Sequence, residues 1–255
     1  MSSNSKGTLY LVPAPLDFGC DAQAPLQDVM PLGTLQIAAR LGSWICENAK
    51  STRAYLKRIN ALQPLSTPVQ ALQIRELPRE IHKKGDHTGH FDARPLLAAA
   101  MEGEDIGLVS EAGMPAIADP GASVVRAGHD LGLRVVPLTG PMSLMLALAT
   151  SGLNGQNFAF TGYLPQDPTG RAQRIRELES LALKTGQTQI FIETPYRNAA
   201  LLQALLQTLQ GNTRLALSCG LTLEAAWNYS AQASSWKKNK PVAPLDLPTV
   251  FCIGR

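Results

Sequence analysis

The sequence predicts an α/β protein of two domains, the first a mostly parallel sheet with helices on both faces and the second a mixed α/β sheet. Three observations carry that expectation. Short apolar runs alternate with helix-period segments from Thr8 to Gly152, the pattern of right-handed βαβ units. Loops rich in Gly, Pro and Ala follow the first, fourth and fifth of those runs. After Gly155 the texture shifts to strands separated by longer, more charged helices, which sets the domains at residues 1–154 and 155–255.

Each element has a local reason. TLYLVP (Thr8–Pro13) is a short buried strand ended by proline. LGTLQIAARLG reads as a helix, Ser43–Asn48 as a second strand, and Lys50–Ile59 as a helix with Tyr55, Leu56 and Ile59 at helical spacing. Ala71–Leu77 is a third strand, and HFDARPLLAAAMEGED holds a helix closed by Gly103. IGLVSEAG is a fourth strand with its loop. In DPGASVVRAGHDLG, Asp119 suits a helix N-cap, Pro120 the first helical position and Gly132 the far end. Leu133–Gly140 is a fifth strand, followed by the helix-like PMSLMLALATSG. In the second domain NFAFTGYLP, TQIFIETP, TRLALSCGL and PTVFCIG read as strands, DPTGRAQRIRELESLALK and YRNAALLQALLQTLQG as helices, and YSAQASSWKKNKPVAPLD as an exposed polar loop.

Ligands of parallel sheets lie beyond the carboxyl ends of the strands. PAPLDFG, LVSEAGMPAIADPG and TGPMS all belong there, and small residues let backbone approach a ligand. One such loop is equally well a tight crossover; three at one sheet edge point to a ligand.

Composition removes several classes. The 255 residues are 45% hydrophobic and 17% charged, enough apolar material for a good core. A net charge of +3 permits a polyanionic partner without demanding one. Cys20, Cys46, Cys219 and Cys252 are far apart with no CxxC pair, which argues against a zinc site or redox dithiol and for reduced thiols in a cytosolic protein. MSSNSKGTLYLV lacks a signal-peptide layout, and the most apolar run is broken by Pro137, Gly140 and Pro141, so no membrane span is expected. GxGxxG after the first strand, a P-loop, HExxH and GxSxG are all absent. Three of the four histidines lie in IHKKGDHTGH without a matching Cys or carboxylate pattern, so no metal is expected.

Five segments in order, TLYLVPAPL, LVSEAGMPAIADPG, LRVVPLTGPMSLMLALATSGL, FAFTGYLP and IFIETPYR, resemble the small-subunit ribosomal RNA (cytidine-2′-O)-methyltransferases of the tetrapyrrole-methylase-like superfamily. The resemblance runs from about Thr8 to Leu217. It implies S-adenosylmethionine bound in a cleft between two α/β domains. The cofactor positions it carries over are Pro13; Ser110, Glu111, Ala112, Gly113 and Pro115; Thr139, Gly140, Pro141 and Ser143; and Tyr163 and Leu164, with Phe191 and Ala216 as wall residues of the second domain. It further implies ribosomal RNA as the partner, a homodimer and a cytoplasmic location.

Departures fall mostly on the substrate half. Glu111 stands where the family has Asp; Glu47-Asn48-Ala49-Lys50 replaces Glu-Asp-Thr-Arg; His87-Thr88-Gly89 replaces His-Asn-Glu; and Ser218 to Leu223 has lost three charged groups. A ribose hydroxyl is a weak nucleophile and gains from a general base. Glu47 and His87 are the catalytic candidates, with Glu111 beside the cofactor. Lys50, Arg53, Lys237 and Lys238 are candidate RNA contacts, with Trp236 as a base-stacking ring. Methylation of a small tetrapyrrole-like molecule and non-catalytic cofactor binding are the alternatives.

Overall fold

The computed structural model describes residues 5–84, 86 and 91–255, with backbone alone at 82–84. The chain clusters into two compact units, one of residues up to Gly19 with Ala24–Pro141, the other of Cys20–Gln23 with Met142–Arg255.

The first unit runs β1 (Thr8–Leu11), α1 (Leu26–Val29), α2 (Leu32–Arg40), β2 (Ser43–Cys46), α3 (Ala49–Asn60), β3 (Gln73–Glu76), α4 (Arg79–Lys84), a 3-10 turn (Arg94–Leu97), α5 (Ala98–Met101), β4 (Ile106–Val109), α6 (Ala122–Asp130) and β5 (Arg134–Pro137). Its sheet has the order β3-β2-β4-β1-β5, with every pairing parallel. Strands β2 and β4 are buried at every position, as expected of parallel strands covered on both faces. Val12, Trp44, Cys46 and Val109 pack toward α2 and α3, while Leu9, Ile45, Ile106 and Leu108 pack toward the 3-10 turn, α5 and α6. Gly107 is needed at the centre: a Cβ there would stand 2.6 Å from the Trp44 indole.

Two helix starts decide how the loops sit. Asn48 caps α3, its side chain accepting from the amides of Lys50 and Ser51. Helix α6 departs from the expectation. Its N-cap is Gly121, and Asp119 makes no cap. The orphan amides are satisfied from another element, by the buried Asp86, whose Oδ2 accepts from Gly121 N at 2.8 Å, Ser123 N at 2.9 Å and Ser123 Oγ at 2.6 Å. Those donors hold the Asp86 carboxyl below its usual pKa despite burial.

The second unit contains α7 (Ser143–Ser151), β6 (Phe158–Tyr163), α8 (Pro168–Thr185), β7 (Thr188–Glu193), α9 (Pro195–Thr208), β8 (Arg214–Cys219), β9 (Trp227–Gln232), α10 (Ala233–Asn239) and β10 (Thr249–Gly254). Residues 142–154, placed with the first domain on sequence, cluster here, where α7 packs on the sheet. The mixed sheet runs β6-β7-β10-β8-β9, with β6–β7 parallel and the other pairs antiparallel. Phe191, Leu215, Leu217 and Phe251 meet α8, α9 and α10 on one face; Ile190, Ala216, Val250 and Cys252 meet α7 on the other. The first part of the stretch expected as a polar loop is instead the end of edge strand β9 and helix α10, while residues 240–246 remain irregular. The strand's polarity reflects an edge position: Trp227, Tyr229 and Ala231 alternate toward the core while Asn228, Ser230 and Gln232 alternate away.

Candidate functional site

The order β3-β2-β4-β1-β5 places a topological switch point between β1 and β4. The chain leaves β1 toward β2 on one side and leaves β4 toward β5 on the other, which opens a crevice at their carboxyl ends. The two flanking loops are stitched across it. Ala14 and Gly113 exchange two backbone hydrogen bonds, each 2.9 Å, in an isolated antiparallel bridge. Gly113 holds φ +69°, and the loop beyond it keeps Ala116 and Ala118 at φ +66° and +65°, a left-handed geometry alanine rarely adopts.

The third small-residue loop closes on the first. A Cβ at Gly140 would run into the Pro13 ring. The Thr139 carbonyl accepts from the buried Thr34 Oγ1 at 2.7 Å, and the Pro13 carbonyl accepts from Tyr55 OH at 2.9 Å. Pro13, Ser110, Glu111, Ala112, Gly113, Pro115, Thr139, Gly140 and Pro141 all lie in these three loops of one unit. At the junction Ser110 Oγ is buried without a hydrogen-bond partner. A buried orphan hydroxyl costs about 1–3 kcal/mol, so a polar ligand group that paired with it would gain that back.

Carboxylates ring the same edge. Glu47, just past β2, accepts the Glu111 amide at 3.1 Å, and Glu111 Oε1 accepts from Ser51 Oγ at 3.2 Å. Asp119, freed from capping, is half-buried. Burial first, then the charges of Glu47 and Glu111, push its carboxyl up to about 8. Lys50 and Arg53 sit exposed on the first turns of α3 beside this edge. Arg58, further along α3, is committed elsewhere: both terminal nitrogens contact the buried Asp17 at 2.9 Å, pinning the loop after β1.

The second unit holds the other expected residues. Ser143 opens α7, Tyr163 ends β6 exposed, and Leu164 is buried. Phe191 is fully buried and stacked on Phe251, while Ala216 faces α7 on the opposite side of the sheet, so the two do not form one wall. Trp236 is not a stacking ring for a base. It is 1% exposed, donates Nε1 to the Leu215 carbonyl at 2.8 Å, and meets Tyr229 edge-on at 4.7 Å. Lys237 and Lys238 beside it are exposed on α10 rather than in a loop. His87 lies outside the described residues. Among the described residues no group of three or more His, Cys, Asp or Glu is arranged to hold a metal.

A sequence-family model for tetrapyrrole (corrin/porphyrin) methylases matches residues 38–226, spanning Glu47, the whole Ser110–Asp119 loop and Thr139–Pro141. The chain belongs to this family. Among its methylase relatives, the ribosomal RNA small subunit methyltransferase I of Vibrio cholerae is 32% identical over 86% of this chain and 66% of its own length. The protein of the same name from Escherichia coli O157:H7 is 31% identical over 87% and 68%. The chain thus spans about two thirds of the length of these curated relatives. The tetrapyrrole-methylase fold is shared with the uroporphyrin-III-C-methyltransferase of Thermus thermophilus, at a TM-score of 0.55 and 18% identity over 98% of this chain and 94% of that one.

Two carboxylates take positions that local sequence does not signal. Asp119 looked like a cap because Asp-Pro-Gly precedes a helix, and Asp86 carried no signal because its partners lie 35 and 37 residues away. The three-loop junction, by contrast, was announced by its small residues.

Proposed function

We propose that the protein is an S-adenosylmethionine-dependent methyltransferase acting on RNA of the small ribosomal subunit, at a ribose 2′-hydroxyl. The observation that carries this reading is the stitched junction of three small-residue loops at the switch point, with a buried unpaired Ser110 hydroxyl and carboxylates around it. The relatives' names supply the substrate class.

The cofactor, when bound, supplies a methyl group on a positively charged sulfur. Pro13, Ser110 to Gly113 and Thr139 to Pro141 would hold it, with Ser110 Oγ satisfied by a polar group of the ligand. Glu111, fixed by Glu47 and Ser51, places negative charge where a sulfonium is favoured. A base works best with a pKa near the operating pH, and Asp119, pushed up to about 8, is the carboxyl matched to accept the ribose proton. Lys50 and Arg53 offer cations for the RNA backbone at the same edge. A cytoplasmic homodimer follows from the family reading; no helix among the described residues is long and apolar enough to cross a membrane.

Dialysed protein titrated with S-adenosylmethionine, with and without a chelator, should bind in both cases. With methyl-labelled cofactor, label should pass to small-subunit ribosomal RNA. Absence of binding overturns the cofactor assignment; label passing only to small molecules of a cell extract overturns the RNA assignment.

A further inference from the structure

The second unit carries an aromatic patch unrelated to its core. Tyr196 is 81% exposed and Tyr163 57% exposed. The parallel pairing of β6 and β7, with Tyr163 opposite Ile192, brings both residues to one sheet edge, since Tyr163 ends β6 and Tyr196 follows β7 in the first turn of α9. Gly162, at φ +73°, sits at the register shift between Phe160 and Tyr163, after which Tyr163 rejoins the pairing with its ring exposed.

Beside Tyr196 sits Arg197. Its guanidinium carbon lies 5.1 Å from the Tyr196 ring centroid, in cation–π range, and its pKa is raised, by the hydrogen bond to Glu193 first and with Tyr163 near enough to contribute. The guanidinium does not swing freely, because Nη2 is tied at 2.7 Å to the buried Glu193 carboxylate at the end of β7. Glu193 Oε1 also accepts from the Thr194 amide at 2.7 Å, so strand end, helix start and guanidinium are locked together. Helices α8 and α9, of 18 and 14 residues, both begin at this edge with a proline, and the Gly170 amide of α8 is already taken by Asp167 Oδ1 at 2.7 Å.

We propose that Tyr163 and Tyr196, set beside the clamped Arg197, form a stacking platform for bases of single-stranded RNA. This rests on the RNA-methyltransferase reading and gives the second unit a share in holding the substrate. An exposed ring face backed by a planar guanidinium takes any base through its π-face. A protein–protein contact fits less well, because the surround of Gln166, Asp167 and Thr194 is polar and supplies no apolar centre.

The test uses the full chain, a fluorescein-labelled single-stranded RNA of mixed sequence read by anisotropy, and Tyr196→Ala and Tyr196→Phe variants. Tyr196 is largely exposed, so neither change disturbs the core. Tyr196→Ala should weaken RNA binding by about five- to a hundredfold. The salt dependence should stay unchanged because no cation is lost, and calorimetric binding of S-adenosylmethionine should equal wild type. Tyr196→Phe, which keeps the ring, should retain RNA affinity. Wild-type RNA affinity in Tyr196→Ala, or an equal loss in Tyr196→Phe, overturns the platform while leaving the RNA-methyltransferase reading standing. A dimer that falls apart in Tyr196→Ala identifies the patch as a contact between copies and also overturns it. If the wild-type protein binds no RNA at all, the broader reading fails first and the platform with it.

Discussion

Glu47 Oε2 accepts the backbone N–H of Glu111 at 3.1 Å, so the side chain that ends one strand fixes the first acidic residue beyond another. The two strands, β2 and β4, are neighbours in the sheet, and their loops are therefore tied at the edge where the cofactor is proposed to sit. Glutamine at position 47 keeps an oxygen that can accept that amide; alanine does not. Glu47→Gln should bind S-adenosylmethionine within about threefold of wild type, and Glu47→Ala about tenfold or more weakly, the scale of one hydrogen bond to a charged group. Calorimetry on both variants checks this, and equal affinities would show the tether to be idle.

As the proposed base, Asp119 would give methyl transfer a pH signature. Methyl transfer should climb with pH and level off above about 8, and Asp119→Asn should flatten the profile and lower the rate about 10²- to 10⁴-fold. A stability effect accompanies it. The folded state holds a proton that the unfolded chain gives up at the ordinary carboxylate pKa of 3.8, so Asp119 makes the fold less stable as pH rises from there through about 8. The melting temperature of Asp119→Asn should therefore gain on wild type between pH 5 and pH 9. A constant difference would mean that the carboxyl is an ordinary surface acid.

The stitched loops respond to added bulk at particular places. Gly140→Ala drives a methyl into the Pro13 ring, and Gly113→Val forces a β-branched residue to φ +69°. Both should abolish S-adenosylmethionine binding, and Gly113→Val should also cost about 1–3 kcal/mol in urea denaturation. Gly33 has open space around its Cβ direction on α2, so Gly33→Ala is the control that leaves binding and stability unharmed. Normal affinity in Gly140→Ala would show that the loops only turn the chain.

The cations and the tryptophan of α10 should separate cleanly. Lys237 and Lys238 are exposed, so replacing both with alanine should weaken RNA binding and flatten its salt dependence by about 0.7 log units per lysine, with stability unchanged. Trp236→Ala should instead cost about 3–5 kcal/mol of stability, because it empties a core position between Tyr229 and Trp227. An unchanged salt slope in the double lysine variant would mean that those lysines serve only solubility.

The alternation of apolar runs and helices was enough to read the parallel sheet, because Ile45 and Leu108 belong to strands buried on both faces and leave a continuous apolar trace. The junction of Pro13, Gly113 and Gly140 was legible for a related reason: small residues in a row have few other uses. What stayed hidden depended on partners far away in the chain. Trp236 followed by three lysines within four residues reads as a surface for RNA, and only the packing of β9 and α10 reveals that the ring faces inward. Edge strand β9 hid because half its residues are polar. Asp119 passed for a cap because Asp86, its replacement, lies outside any local window.

That distant cap has a consequence for how the protein is made. During synthesis Asp86 leaves the ribosome before α6 exists, so the acceptor for Gly121 and Ser123 is waiting when the helix emerges. The acidic edge thus depends on tertiary contacts, Glu47 reaching Glu111 across 64 residues and Asp86 reaching Gly121 across 35, and a chain without them would carry its carboxyls without the geometry that makes them unusual.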